Sequence, residues 1–201
     1  RSDGSGTNWS GEKKINNPSN FPRTPSITAD KNGGVYIVWW DDIEGFTNIY
    51  LARSLDYGNT WQWNPSKIIT DINYEVDSTI PRIISDDSGK LFLFWIDNRS
   101  GYPQGGFRPY DVYYLRSEDR GESWNLIPEP VSVGLPDNFG DTRAVNVNLD
   151  RDNILHLTWW ELNEGDNLYY RNSTDSGYTW SQVQKISEFP VSHNLPEVWQ
   201  T

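Results

Sequence analysis

The sequence predicts an all-β chain, a partial β-propeller of four-stranded antiparallel blades, with three full blades and two partial ones drawn from a six- or seven-bladed ring. Three observations predict it. A turn motif recurs in phase, the segments between its copies repeat one order of strand-forming residues, and no stretch carries helical periodicity.

The motif reads Ser-x-Asp-x-Gly-x-(Thr/Ser)-Trp. Its copies are Ser54, Asp56, Gly58, Thr60 and Trp61; Ser117, Asp119, Gly121, Ser123 and Trp124; and Ser173, Asp175, Gly177, Thr179 and Trp180. A worn copy opens the chain, with Ser2, Gly6 and Trp9 in register but Gly4 and Asn8 in place of the Asp and Thr. Successive Trp residues stand 52, 63 and 56 positions apart, 57 on average, which is the length of one blade.

The rest of each period spells four strands, A to D. Strand A is marked by Ile27, Ile83 and Val147, and the polar turns that follow open on Asp30, Asp86 and Asp150. Strand B is Val35 to Trp40, Leu91 to Ile96 and Ile154 to Trp160, rich in β-branched and aromatic residues. Strand C is Ile49 to Arg53, Val112 to Arg116 and Leu168 to Arg171, and strand D is marked by Ile15, Ile68, Val131 and Ile186. The near-continuous apolar inner strands suit sheets buried on both faces. Blades then span roughly 21–76, 77–140 and 141–192, with 1–20 ending one blade and 193–201 starting another. An open arc leaves two sheet faces uncovered, so the missing blades are expected from the same longer chain or from a second copy.

Composition limits the function classes. Of 201 residues, 11 are Trp, 11 are Tyr and 22% are charged, as in a folded aromatic-rich protein. The net charge of −11 repels phosphate backbones and anionic membranes, so nucleic acid is not an expected partner. No apolar run approaches the ~18 residues of a membrane span, so no membrane insertion is expected. Without Cys there are no disulfides or thiolate metal sites. With neither an initiator nor any other Met, the chain is expected to be a mature product or an excised piece. Asn8, Asn98 and Asn172 lie in sequons compatible with glycosylation on a secreted or cell-surface protein.

In its turn, the motif's Asp accepts backbone N–H groups while Gly takes a positive φ. The residues resemble the Asp box of the sialidase-like (BNR repeat) propellers, and the strand pattern extends the resemblance over nearly the whole chain. The resemblance implies that the boxes serve the fold, on the face away from the ligand. Ligands are then expected at the B–C and D–A loops.

The resemblance also implies an arginine trio for a substrate carboxylate, an acid/base Asp, and a Tyr nucleophile with a Glu partner. Arg23-Thr24-Pro25 resembles the family's Arg-Ile-Pro entry to strand A, departing from it at Thr24. Asp41 and Asp42 stand where the acid/base Asp is expected. These slots recur along the chain, with Arg143 placed as Arg23 is, and Asp97, with Arg99 beside it, and Glu161 placed as Asp41 is. That recurrence argues for turn-capping acids, a rule of the blade, more than for a unique site. The longer second B–C loop adds Tyr102 and Arg108, suited to sugar stacking or a protein contact. No Tyr–Glu pair can be assigned.

No metal or cofactor is expected. His156 and His193 are too few for a metal centre, and Asp150-Arg151-Asp152-Asn153 fills a turn slot without the Gly and Glu of a calcium loop. The leading expectation is recognition of a glycan or protein ligand without catalysis. The alternatives are an exo-sialidase or related glycoside hydrolase, and an architectural surface-layer or adhesin domain.

Overall fold

The computed structural model describes residues 2, 4–15, 21–42, 47–69, 76–99, 109–125, 129–132, 141–163 and 165–187. It contains three four-stranded antiparallel sheets. The first holds β1 (Arg23–Ala29), β2 (Val35–Asp42), β3 (Thr47–Ser54) and β4 (Gln62–Ile69). The second holds β5 (Ser78–Ser85), β6 (Leu91–Asp97), β7 (Asp111–Ser117) and β8 (Glu129–Pro130). The third holds β9 (Asp141–Leu149), β10 (Leu155–Asn163), β11 (Gly165–Ser173) and β12 (Gln184–Lys185). In each, strands pair in chain order, so every sheet is one A-to-D blade.

The sheets stack face to face. All seven residues of β6 are buried because the middle sheet is covered on both sides. Leu91, Leu93 and Trp95 pack with Tyr36, Val38 and Ile49 of the first sheet. Phe92, Phe94 and Ile96 pack with Leu155, Leu157 and Trp159 of the third. One cross-strand aromatic pair recurs at the same register in every blade. Trp39 lies over Tyr50 with ring centroids 6.0 Å apart, Trp95 over Tyr113 at 5.9 Å, and Trp159 over Tyr169 at 5.6 Å.

Contacts between sheets concentrate on the first strands, so the blades fan out from a line where β1, β5 and β9 lie together. Ser26 and Thr28 hydroxyls of β1 accept the Ile83 and Ser85 amides of β5 at 3.2 and 3.1 Å. An inner strand has no partner strand on that edge, and these side chains satisfy its outward N–H groups.

The three boxes share one geometry. In the first, Ser54 Oγ accepts the Gly58 amide at 2.8 Å, and Asp56 accepts the Thr60 amide and hydroxyl at 2.8 and 2.6 Å. The Thr60 hydroxyl and amide hold the Asp56 carboxyl down at about 2. Each box turns through two successive left-handed residues, Tyr57-Gly58, Arg120-Gly121 and Ser176-Gly177, with φ between 59° and 83°. The worn copy keeps three bonds despite losing its Asp, the first from the Gly4 amide to Ser2 Oγ at 3.3 Å. Ser2 Oγ accepts the Gly6 amide at 2.9 Å, and Trp9 Nε1 donates to the Gly6 carbonyl at 3.1 Å.

The A–B turns are capped by their aspartates. Oδ1 of Asp30, Asp86 and Asp150 accepts the amide two residues on at 2.7 to 2.9 Å and the amide four residues on at 2.8 to 2.9 Å. The short stretch Asp150 to Asn153 is therefore such a turn. These turns and the boxes lie at the same end of the blades, where Tyr57 donates its amide to the Gly33 carbonyl at 2.8 Å.

Candidate functional site

The opposite end carries the B–C and D–A connections. Arg23 begins β1 there, opposite Trp40 in register, and its exposed guanidinium lies 4.9 Å from the Trp40 ring centroid. The backbone beneath it is strained. Thr24 has φ of 43°, Pro25 follows, and the ladder slips between Arg23 and Ser26. Ile80 in the second blade does the same, with φ of 52°, Pro81 after it and a slip between Thr79 and Arg82. Thr24 therefore departs from the Arg-Ile-Pro pattern in its side chain, while its backbone conformation is shared with the isoleucine of the next blade. A β-branched residue at positive φ costs about 1–3 kcal/mol, and such strain concentrates where a chain is shaped for a purpose.

The acids ending strand B do three different things, although the sequence places them in one slot. Asp97 is fully buried. Its carboxylate accepts the Ser78 hydroxyl at 2.7 Å, the Trp95 indole at 3.2 Å, the Arg99 amide at 2.8 Å and the Arg99 guanidinium at 2.6 Å. Arg99 in turn stacks 4.7 Å over the Tyr113 ring. Asp41 is equally buried but accepts the amide of Phe21, on the segment leading into β1, at 3.0 Å. Glu161, 1% exposed, accepts only the Trp159 indole among the described residues, at 2.9 Å. The second oxygens of Asp41 and Glu161, and the hydroxyl of Thr142, which faces Glu161 in register, have no partner among the described residues. Among the described residues, Asp97 alone of the three acids takes an amide of its own B–C turn. Asp42, one residue beyond Asp41, ends β2 exposed.

Burial pushes the Glu161 carboxyl up to about 7, against the Trp159 hydrogen bond, with the Asp111 charge adding to the rise. Asp111 stands directly opposite Asp97 and is relieved by the Ser132 hydroxyl at 2.9 Å. Like charges so placed repel, and Arg99 and Ser132 offset it.

Two further aspartates lock neighbouring blades together at this face. Asp77 accepts the Thr47 amide and hydroxyl of the preceding blade at 3.2 and 3.1 Å, and Asp141 accepts the Tyr110 amide at 3.2 Å. The Tyr110 phenol is raised by burial and by Asp77, Asp141 and Asp97 around it. Neither Asp77 nor Asp141 is singled out by the motif, yet a signal exists, since Asp77-Ser78 and Asp141-Thr142 repeat 64 residues apart.

The structure thus brings Asp97 and Arg99 together as an internal ion pair and joins Arg143 to Asp141 at 2.5 Å, with Arg143 half exposed. Arg23 makes no ion pair among the described residues. Tyr102 and Arg108 lie outside the described residues. Of the sequon asparagines, Asn8 is exposed, Asn98 accepts the Asp77 amide at 2.9 Å through its side chain, and Asn172 is half buried in β11. Among the described residues no three His, Cys, Asp or Glu side chains gather to hold a metal ion, and no helix is long and apolar enough to cross a membrane.

No protein-family model matches the chain. A sialidase of Clostridium perfringens is 27% identical over 205 residues, covering 88% of this chain and 52% of its own length. The chain therefore spans about half of that curated relative. Among solved structures, a leech intramolecular trans-sialidase superposes with a TM-score of 0.64 at 13% identity, covering 94% of this chain and 48% of its own. The Hadza microbial sialidase Hz136 gives 0.62 at 17% identity, covering 79% and 36%. A Penicillium chrysogenum α-L-arabinanase complexed with arabinobiose gives 0.59 at 17% identity, covering 84% and 50%. These likenesses carry the fold, and with the boxes in phase they make the chain a partial β-propeller that resembles the sialidase-like Asp-box propellers.

Proposed function

We propose that the loop face recognises an acidic glycan, a sugar bearing a carboxylate, with Arg23 as the cation that receives it. One observation carries this reading. Of the arginines described at this face, Arg99 and Arg143 are held by Asp97 and Asp141, whereas the exposed Arg23 lies over Trp40 with no carboxylate partner among the described residues. A guanidinium beside an aromatic ring suits the charge and the apolar face of such a sugar together. A secreted or cell-surface location goes with this proposal.

Hydrolysis is the second reading, favoured by the sialidase relative. The acid/base group would then be Asp42, because Asp41 is buried against the Phe21 amide. An architectural role is the third.

Titration with sialyllactose, followed by Trp fluorescence, tests the first reading. Arg23→Ala is expected to weaken binding by about 10- to 100-fold, the loss of one charge-assisted pair. Equal affinity in both proteins overturns it. A fluorogenic sialoside separates the second reading: turnover by the wild type, lost in Asp42→Asn with binding retained, favours the enzyme, and no turnover removes it.

A further inference from the structure

One constellation of side chains recurs at the loop end of strand B in the second and third blades. In the second, Asp97 stands opposite Ser78 in register, beside the Trp95 and Tyr113 pair. In the third, Glu161 stands opposite Thr142, beside the Trp159 and Tyr169 pair. The indole donates to the acid in both, at 3.2 Å from Trp95 and 2.9 Å from Trp159.

In the second blade a guanidinium completes the arrangement. Arg99 Nε lies 3.0 Å from Asp97 Oδ1 and Nη2 2.6 Å from Oδ2, a two-point pair, and the guanidinium carbon lies 4.7 Å from the Tyr113 ring centroid and 5.9 Å from that of Trp95. The Ser78 hydroxyl donates to the same carboxylate at 2.7 Å. The third blade has Asn163 where the second has Arg99, and Arg143, next to Thr142, is held by Asp141. Glu161 Oε2 and Thr142 Oγ are therefore buried with no partner among the described residues. A buried acceptor without a donor is unfavourable, and burial together with the Asp111 charge pushes the Glu161 carboxyl up to about 7. A cation seated between them would offset both effects.

We infer that the Glu161–Thr142 slot is a guanidinium site, taking the arginine side chain of a partner protein where the second blade uses its own Arg99. The Asp97–Arg99 pair selects a guanidinium over an ammonium, because the planar fork meets both carboxylate oxygens while its face rests on the aromatic pair. Such a group enters from the loop face. Asp97 is fully buried with its guanidinium seated, while Arg99 keeps 18% of its side chain exposed, and Leu162 and Arg143 beside the third-blade slot are exposed in the same way. The charge of that face draws cations, since Asp77, Asp141 and Asp97 together raise the Tyr110 phenol there. The site lies two blades from Arg23, and the inference does not rest on the acidic-glycan reading.

Titration of the 201-residue chain with Nα-acetylarginine amide at pH 8 tests it, followed by the NMR signal of the Trp159 indole N–H, which Trp159→Phe identifies. A saturable shift with a Kd of about 1 mM is expected, weakened at least about tenfold in Glu161→Gln, which keeps an acceptor for the indole. Nα-acetyllysine amide is expected to bind at least about fivefold more weakly, and the neutral citrulline analogue to give no shift. No saturable shift in the wild type, or equal affinity for the citrulline analogue, overturns the site. Affinity indifferent to Glu161→Gln overturns its place, and equal affinity for the lysine amide overturns the choice of guanidinium. Binding seen only in Arg108→Ala overturns an outside arginine, because the chain's own side chain then competes for the slot. Affinity for sialyllactose is expected to be the same in Glu161→Gln and the wild type, so this test and that of the glycan reading fail separately.

Discussion

Arg120 of the second blade's box reaches back to Asp30 in the first blade's A–B turn, Nη2 lying 2.9 Å from Oδ2 and Nε 3.2 Å from the Tyr36 hydroxyl. The Asp30 side chain is fully buried, and Arg120 is 30% exposed. The pair spans two blades that also meet through apolar side chains, hydroxyl bonds between inner strands, the Lys31–Asp87 and Arg53–Glu122 ion pairs and the Asp77–Thr47 bonds, and it adds a buried carboxylate to that seam.

Arg120→Ala leaves a buried carboxylate short of its cation and is expected to lower stability by about 1–3 kcal/mol. Burial alone would raise the Asp30 carboxyl, but the bonds from Tyr36, Gly34, Arg120 and Asn32 outweigh it and hold it below the ordinary value. A lowered carboxyl contributes stability that is present above its ordinary value and lost as pH falls through the lowered one. Urea midpoints of the wild type, Arg120→Ala, Asp30→Asn and the double variant check the coupling. Additive losses would show that the two residues act separately.

The box glycines are not equivalent. A Cβ on Gly121 would lie 3.2 Å from both Leu51 Cδ2 and Leu91 Cδ1, whereas on Gly58 it meets only Trp61, at 3.7 Å. Both have positive φ, 83° and 81°, which costs an L-residue about 1–2 kcal/mol. Gly121→Ala is therefore expected to cost about 2–3 kcal/mol and Gly58→Ala about 1 kcal/mol, and thermal unfolding gives the order. The reverse order would mean that the closer contacts relax freely.

The blades were legible in the sequence because the box needs particular atoms at fixed places: an acceptor at Asp56, a left-handed residue at Gly58, a donor at Thr60. Their phase fixes every strand between them. The candidate site was less legible, because its differences arise between blades. Asp41, Asp97 and Glu161 occupy one slot, and Trp95 and Trp159 of strand B donate alike to Asp97 and Glu161, yet Asp41 takes Phe21 from a D–A segment and Asp97 takes Arg99 from its turn, segments that share no motif. The local rule fails outright at Thr24 and Ile80. A residue before Pro is expected extended, and both are left-handed where the ladder slips.

Arg99 and Arg143 look alike in sequence and should behave differently. Asp97 is fully buried beneath Arg99, itself 18% exposed, so Arg99→Ala is expected to cost about 2–4 kcal/mol, moderated by the Ser78 and Trp95 donors that remain. Arg143 is 45% exposed in its pair with Asp141, and Arg143→Ala is expected to stay within about 1 kcal/mol of the wild type. Chemical denaturation of both variants checks the contrast. Similar losses would mean that Arg143 has a structural role its exposure does not suggest.

Glu161 should make stability depend on pH in the opposite sense to Asp30. Its carboxyl, raised from an ordinary 4.5 to about 7, binds its proton more tightly in the folded chain than in the unfolded one. The stability this confers is complete at low pH, declines as pH rises from about 4.5 to about 7, and is level above. Glu161→Gln keeps an acceptor for the Trp159 indole and removes the charge that burial disfavours. The variant is expected to match the wild type near pH 4.5 and to exceed it by about 1–3 kcal/mol at pH 8, read from urea midpoints across that window. A variant less stable than the wild type at pH 8 would mean that the ionised carboxylate has a partner that holds it, and that the loop face uses Glu161 as a charge.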